Sequence, residues 1–166
     1  PIQTTLLNND PETGITLIHM NEKMDEGPII THQTLSVEPT DYFGDLHDKL
    51  ATLSATLLKQ WLNNFTNNNI QNETPQDHQK ATYCTKITKE DLFLNPNDTP
   101  KINYGKIRAF SPKPGAYTLF KDLRVKILKA TFHNNQILPE EVQPEGKKTM
   151  NYDDFKLGYK RDLLSW

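Results

Sequence analysis

A single cysteine, Cys84, stands in a chain of 166 residues, which excludes an internal disulfide and a zinc cage built from thiolates. Apolar residues are also scarce, at 35%, and no run approaches the roughly 20 consecutive apolar positions that a membrane span requires. The chain opens Pro1-Ile2-Gln3-Thr4-Thr5-Leu6-Leu7, without the charged-then-apolar order of a secretory signal. A soluble, cytoplasmic protein with no membrane attachment is the expectation. Glycine is sparse and never gathers into a phosphate-cradling loop, and there is no Gly-x-Ser-x-Gly elbow. His19, His32, His47, His78 and His133 are scattered without ligand-like spacing, so each reads as a surface or core residue and no metal is expected.

What is present is polar filler and an uneven charge. Asn, Gln, Thr and Lys take the place of the missing apolar residues, so part of the length reads as loop or linker around one medium domain or two small ones. The formal net charge is −2. Residues 1–83 carry four Lys against eleven Asp or Glu, a balance of −7, and residues 84–166 carry fifteen Lys or Arg against ten acids, a balance of +5. A basic half joined to an acidic one suits a polyanionic partner, since Lys and Arg neutralise phosphates without regard to sequence. An ordinary solvated surface would give the same composition.

Pro1 suits the first turn of a helix, with Ile2, Leu6 and Leu7 near one face and an end near Asn8 or Asn9. Asp10-Pro11-Glu12-Thr13-Gly14 reads as a turn. Ile15 to Met20 is apolar apart from Thr16 and His19, the pattern of a strand covered on both faces. A second strand is expected within Pro28 to Val37. After Thr40, Leu46, Leu50, Leu53, Leu57, Trp61 and Phe65 recur at helical spacing, flanked by Leu58 and Leu62, so this stripe is expected to be core. From Thr66 to Gln79 the chain turns polar, with almost nothing apolar but Ile70, and residues 69–88 read as a linker. Beyond it, Ile107 to Phe110 is a short patch, apolar except for Arg108, that ends at Ser111-Pro112-Lys113-Pro114-Gly115. Strands are expected at Ala116 to Phe120 and Leu123 to Phe132, then a hairpin turn at His133-Asn134-Asn135 into Ile137 to Val142, and a last helix from Asn151 that buries Phe155 and Tyr159.

One stretch carries chemistry. Gly14 to Ile30 holds two β-rich runs around a polar loop that ends Met24-Asp25-Glu26-Gly27-Pro28. A carboxylate at the carboxyl end of a strand in an α/β sheet faces the crevice where ligands bind. Asp25 is therefore the first candidate residue, although it would equally suit a turn-capping role before Gly27.

In order along the chain, Pro1-Ile2-Gln3, Glu12-Thr13-Gly14-Ile15-Thr16 and Met24-Asp25-Glu26-Gly27-Pro28-Ile29 are followed by Leu46-His47-Asp48-Lys49-Leu50 and by Thr82-Tyr83 with Lys86-Ile87. Ile107-Arg108-Ala109-Phe110, Pro114-Gly115-Ala116 and Gly146-Lys147-Lys148-Thr149-Met150 come next, with Asp154-Phe155 and Gly158-Tyr159 at the end. This succession resembles the methionyl-tRNA formyltransferase family over essentially the whole chain. The family's Asn-x-His pair and Ser-Leu-Leu-Pro segment would precede residue 1, so the chain resembles the C-terminal portion of such an enzyme.

The resemblance implies an α/β fold. Residues 1–68 would be the end of a Rossmann-like formyltransferase sheet domain, 69–88 a linker, and 89–166 a small basic, OB-like β-rich domain. It implies an enzyme that transfers formyl from 10-formyltetrahydrofolate to the amine of methionyl initiator tRNA, an intact parent that is a monomer, and a fragment inactive by itself. Asp25 would be the catalytic aspartate, assisting proton removal as the amine attacks the formyl carbon. Met20, Asn21, Glu22, Lys23 and Met24 would line the folate pocket. Lys86, Lys89, Arg108, Lys113 and Lys126 would contact tRNA phosphates and acceptor-stem shape. Two other readings share these residues: a non-catalytic tRNA-binding remnant, and a formyltransferase acting on a nucleotide sugar.

Overall fold

The computed structural model describes residues 1–69, 72–160, 163 and 164; Ile70 and Gln71 of the expected linker lie outside them. The chain divides into two compact units that do not follow the linear boundaries read from sequence. One unit, here the sheet unit, comprises Pro1–Asp10, Pro39–Gly44 and Thr85–Trp166; the other, the hairpin unit, comprises Pro11–Glu38 and Asp45–Cys84.

In the hairpin unit, β1 (Glu12–Ile18) and β2 (Ile29–Ser36) pair antiparallel from Glu12 opposite Ser36 to Ile18 opposite Ile29, with a bulge between Leu17 and Ile18. The strand expected at Ile15 to Met20 thus begins three residues earlier and stops before His19. Its side chains alternate between exposed and half-buried, so it is a hairpin strand with one wetted face and not a strand covered on two sides. Gly14 permits the early start: a Cβ there would stand 2.5 Å from the Gln33 carbonyl oxygen, and only glycine lets the strands approach so closely.

Helix α2 (Phe43–Thr66) runs 24 residues, about 36 Å of helix. Its stripe is enclosed at Leu46, Leu50 and Leu57, but Leu58, Leu62 and Phe65 are about half exposed. The expectation that the whole stripe is core therefore fails towards the C-terminal end. The only sheet among the described residues of this unit is a two-stranded hairpin, too narrow to cover so long a helix. Trp61 and Phe65 stack on each other at 5.2 Å instead, which shields part of their own surface.

The sheet unit is built differently. Helix α1 (Ile2–Asn8) ends where Asn9 takes a left-handed φ of 55°, as the sequence suggested. Helix α3 (Pro100–Phe110) is capped by Thr99, whose side chain accepts from the Ile102 N–H at 3.4 Å, and has Pro100 in its first turn. The two helices meet through Gly105, where a Cβ would lie 2.9 Å from the Leu6 carbonyl oxygen. Strands β3 (Tyr117–Phe120), β4 (Leu123–His133), β5 (Gln136–Pro144) and β6 (Met150–Asn151) form one antiparallel sheet in that order. Asn134 and Asn135, both at positive φ, make the expected tight turn between β4 and β5. Helix α4 (Tyr152–Tyr159) buries Phe155 fully, with Tyr159 stacked on it at 4.4 Å and Phe120 edge-on at 5.6 Å. Ile107, Phe110, Val125, Ile127, Val142 and Phe155 make the core.

The β-rich character of this region agrees with the sequence reading, but no barrel closes among the described residues. Two of the four strands are only four and two residues long, too short to carry the stagger that closure demands. Helix α3 was legible only as the patch Ile107 to Phe110.

Candidate active site and candidate nucleic-acid surface

The hairpin connection is short of backbone partners, and side chains supply what it lacks. The His19 N–H donates to the Pro28 carbonyl at 3.0 Å and closes the base. Gly27 is enforced there, because a Cβ would overlap the His19 carbonyl oxygen at 1.6 Å. Within the loop, the Asn21 side chain accepts from the Lys23 N–H at 3.0 Å, and the Lys23 ammonium pairs with Glu26 at 3.2 Å. Asp25 sits at the tip with a left-handed φ of 57° and an exposed side chain. Aspartate tolerates that backbone better than most residues.

The polar stretch read as linker packs against this loop. Ile29 and Thr74 exchange two backbone hydrogen bonds of 2.8 Å. His19 Nδ1 lies 2.6 Å from Glu73 Oε1, and His78 Nδ1 lies 4.0 Å from Glu26 Oε2. The Gln76 amide nitrogen is 2.9 Å from the Asp25 carbonyl oxygen and 2.6 Å from that of Gly27. Sequence reasoning missed Gln76, Glu73 and the two histidines as loop partners. An amide or imidazole among polar neighbours has no period, and only the fold shows what it meets.

Of the expected folate-pocket residues, all five are exposed, with Met20 at 94% and Met24 at 88%. Two solvated thioethers beside a carboxylate offer apolar, polarisable surface to a flat heteroaromatic ring. No group of three or more His, Cys, Asp or Glu is arranged to hold a metal ion among the described residues.

The five expected tRNA contacts separate. Lys86, Lys89 and Lys113 are exposed. Lys89 precedes a single 3-10 turn at Glu90–Leu92, where the Thr88 backbone N–H, followed by its hydroxyl, holds the Asp91 carboxyl below its usual range. Lys126 lies half-buried, its stem against Gly115, in a groove of about 250 Å³ that Arg124, Gln143, Pro144, Glu145 and Gly146 complete. Arg124 stacks over the Tyr117 ring at 4.3 Å. That planar cation lies in the same groove, within the strand expected at Leu123 to Phe132.

Arg108 is a correction. It is 4% exposed, and its guanidinium donates to the Asn9 side-chain oxygen at 3.0 Å and the Asp41 carbonyl at 3.4 Å while lying 5.3 Å from the centre of the Tyr104 ring. Burial is the main influence on its acidity and lowers its pKa. Such a group ties α1 and residues 39–44 to α3 and is out of reach of a phosphate. Neighbouring Tyr42 completes the tie: its hydroxyl donates to the Ala130 carbonyl at 2.9 Å and accepts from the Ala130 N–H at 3.0 Å. Burial pushes its pKa up to about 12.

Comparison with known proteins gives this geometry a family. The Formyl transferase model matches residues 1–62, and the Formyl transferase C-terminal domain model matches residues 86–137. A methionyl-tRNA formyltransferase of Kosmotoga olearia is 42% identical over 135 residues, 81% of this chain and 43% of the relative. One from Staphylococcus epidermidis is 32% identical over 188 residues, 99% of this chain and 60% of the relative. This chain therefore spans about half the length of these relatives. Among solved structures, HypX from Aquifex aeolicus in complex with tetrahydrofolic acid is similar in fold, with a TM-score of 0.69 at 14% identity over 93% of this chain and 32% of that one. With both domain models matched in order and methionyl-tRNA formyltransferases as its curated relatives, the chain belongs to the formyltransferase family.

Proposed function

We propose that the protein carrying this chain transfers a formyl group from 10-formyltetrahydrofolate to the α-amine of methionyl initiator tRNA. The observation that carries the reading is the ordered match of both domains, with methionyl-tRNA formyltransferases as the curated relatives. The donor supplies an activated formyl carbon. Asp25 holds an acceptor oxygen at an open loop tip, where it would take or relay the proton that the amine loses as its nitrogen bonds to the formyl carbon; the bond from that carbon to the donor's nitrogen would break, and that nitrogen would take up a proton as tetrahydrofolate leaves. Met20 and Met24 provide apolar faces for the pterin, and Asn21, Glu22 and Lys23 shape the loop between them. On the sheet unit, Lys86, Lys89, Lys113 and Lys126, with Arg124 added, bind the acceptor-stem backbone through charge, which fixes tRNA without reading its sequence.

The test is transfer of labelled formyl from 10-formyltetrahydrofolate, offered in parallel to methionyl initiator tRNA and to a nucleotide-linked amino sugar. Label in acid-precipitable methionyl-tRNA is the expected result. Label on the amino sugar alone would overturn the substrate assignment, and label on neither would overturn the activity.

A further inference from the structure

We infer that Gln76 is a positioning residue for Asp25, and that residues 73–79 act as a strap on the reactive loop instead of a passive linker. The inference rests on the reading of Asp25 given above. Asp25 stands between the end of β1 at Ile18 and the start of β2 at Ile29, outside the strand ladder, and its own carbonyl and that of Gly27 accept from the Gln76 side chain. Both carbonyls are acceptors only, so the end of the Gln76 carboxamide that faces them is the amino group, with its two donors. One NH₂ thus spans the residue on either side of Glu26, at 2.9 and 2.6 Å. These bonds hold the Asp25–Glu26 peptide plane, which adjoins the Asp25 side chain, and the Gly27–Pro28 plane two residues on.

Gln76 is itself held. It is half-buried, and two residues earlier Thr74 is locked to Ile29 by paired 2.8 Å backbone bonds. Glu73 pairs with His19 at 2.6 Å at the base of the same loop. The following turn, His78–Lys80, is capped by Asp77, which accepts from the Gln79 N–H at 3.1 Å. The donor pair therefore comes from a segment fixed on both sides. At the base of the loop Gly27 lies close against the His19 carbonyl, so the loop is anchored there. Loss of the amide leaves the loop backbone anchored at its base and free at its tip, where Asp25 sits. A carboxylate displaced by about 1 Å from its reacting partner costs on the order of 100-fold in rate.

The test uses the full protein carrying this chain, with Gln76→Ala, the isosteric Gln76→Glu, Glu73→Gln and Asp25→Asn. Both Gln76 variants are expected to lower kcat about 10- to 100-fold while KM for methionyl-tRNA and the melting temperature stay near wild type. The backbone carbonyl ¹³C resonances of Asp25 and Gly27 are expected to shift as their hydrogen bonds are lost. Glu73→Gln, which loosens the strap and spares the two carbonyl bonds, is expected to change kcat less than about 3-fold, because a rim ion pair contributes little. Equal losses in Glu73→Gln and Gln76→Ala would overturn the inference in favour of general loosening. Normal turnover in both Gln76 variants, with Asp25→Asn inactive, would overturn the inference and leave the Asp25 reading standing. Normal turnover in Asp25→Asn would overturn both.

Discussion

Helices α2 and α3 invite comparison because pattern and outcome run opposite ways. Helix α2 has the cleanest apolar stripe in the sequence and is enclosed only in part. Helix α3 has less than half its length, carries Asn103, Gly105 and Arg108 among its apolar residues, and is buried on nearly every side. The contrast shows that enclosure here follows what surrounds a helix and not the strength of its periodicity. Around α3 the sheet unit supplies α1 and a sheet, and it gives the polar residues it buries partners, though Asn103 Oδ1 has none: the Asn103 amide nitrogen donates to the Asn95 carbonyl at 2.8 Å, and Arg108 bonds to Asn9 and Asp41. The hairpin unit offers a ribbon of two strands and keeps its loop, its carboxylates and half of its helical stripe in water.

If that contrast is sound, truncations should cost far more in one unit than in the other. Phe155→Ala in the sheet unit should lower the unfolding free energy by about 3–5 kcal/mol, measured by urea titration. Arg108→Met should follow at about 1–3 kcal/mol, since it strands buried acceptors, and it should leave the salt dependence of tRNA binding unchanged. Lys86→Ala and Lys89→Ala should each reduce the slope of log affinity against log salt by about 1, uniformly across tRNA sequences. A change in that slope in Arg108→Met would break the assignment of Arg108 as an internal tie.

Titration sharpens the same contrast. Burial raises the Tyr42 pKa to about 12, above the ordinary 10 that an unfolded tyrosine has. The folded chain thus keeps its proton while the unfolded chain loses it, so this part of the stability is complete below pH 10 and drains away between pH 10 and about 12. Denaturant midpoints across that window should fall in the wild type, and the Tyr42 component of the fall should be absent in Tyr42→Phe. The smallest effect belongs to the open stripe: Leu62→Ala should change stability by no more than about 0.5 kcal/mol.

Much of this was legible in the sequence. The left-handed Asn134-Asn135 turn, the Asn9 stop after α1, the α4 helix around Phe155 and the strands on either side of Asp25 each have a local cause, whether turn chemistry, capping or period. Helix α3 was not legible because its buried faces include polar groups whose partners lie far along the chain, Arg108 to Asn9 above all. Its start carried an unread local signal in Thr99-Pro100. Asp25 was singled out as a candidate from its place after a strand and before Gly27, and the structure places it at the tip of the hairpin loop. Gln76 was not singled out, because a carboxamide in a polar stretch is informative only once the two carbonyls it spans have been brought to it.

The central claim, that an exposed carboxylate at the tip of the hairpin loop does the chemistry, is tested most directly by single-turnover formyl transfer with Asp25→Asn at saturating methionyl-tRNA. A fall of about 10²- to 10⁴-fold in rate, the range for removal of a general acid–base group, with tRNA affinity and melting temperature unchanged, is the outcome expected; transfer at the wild-type rate would contradict it.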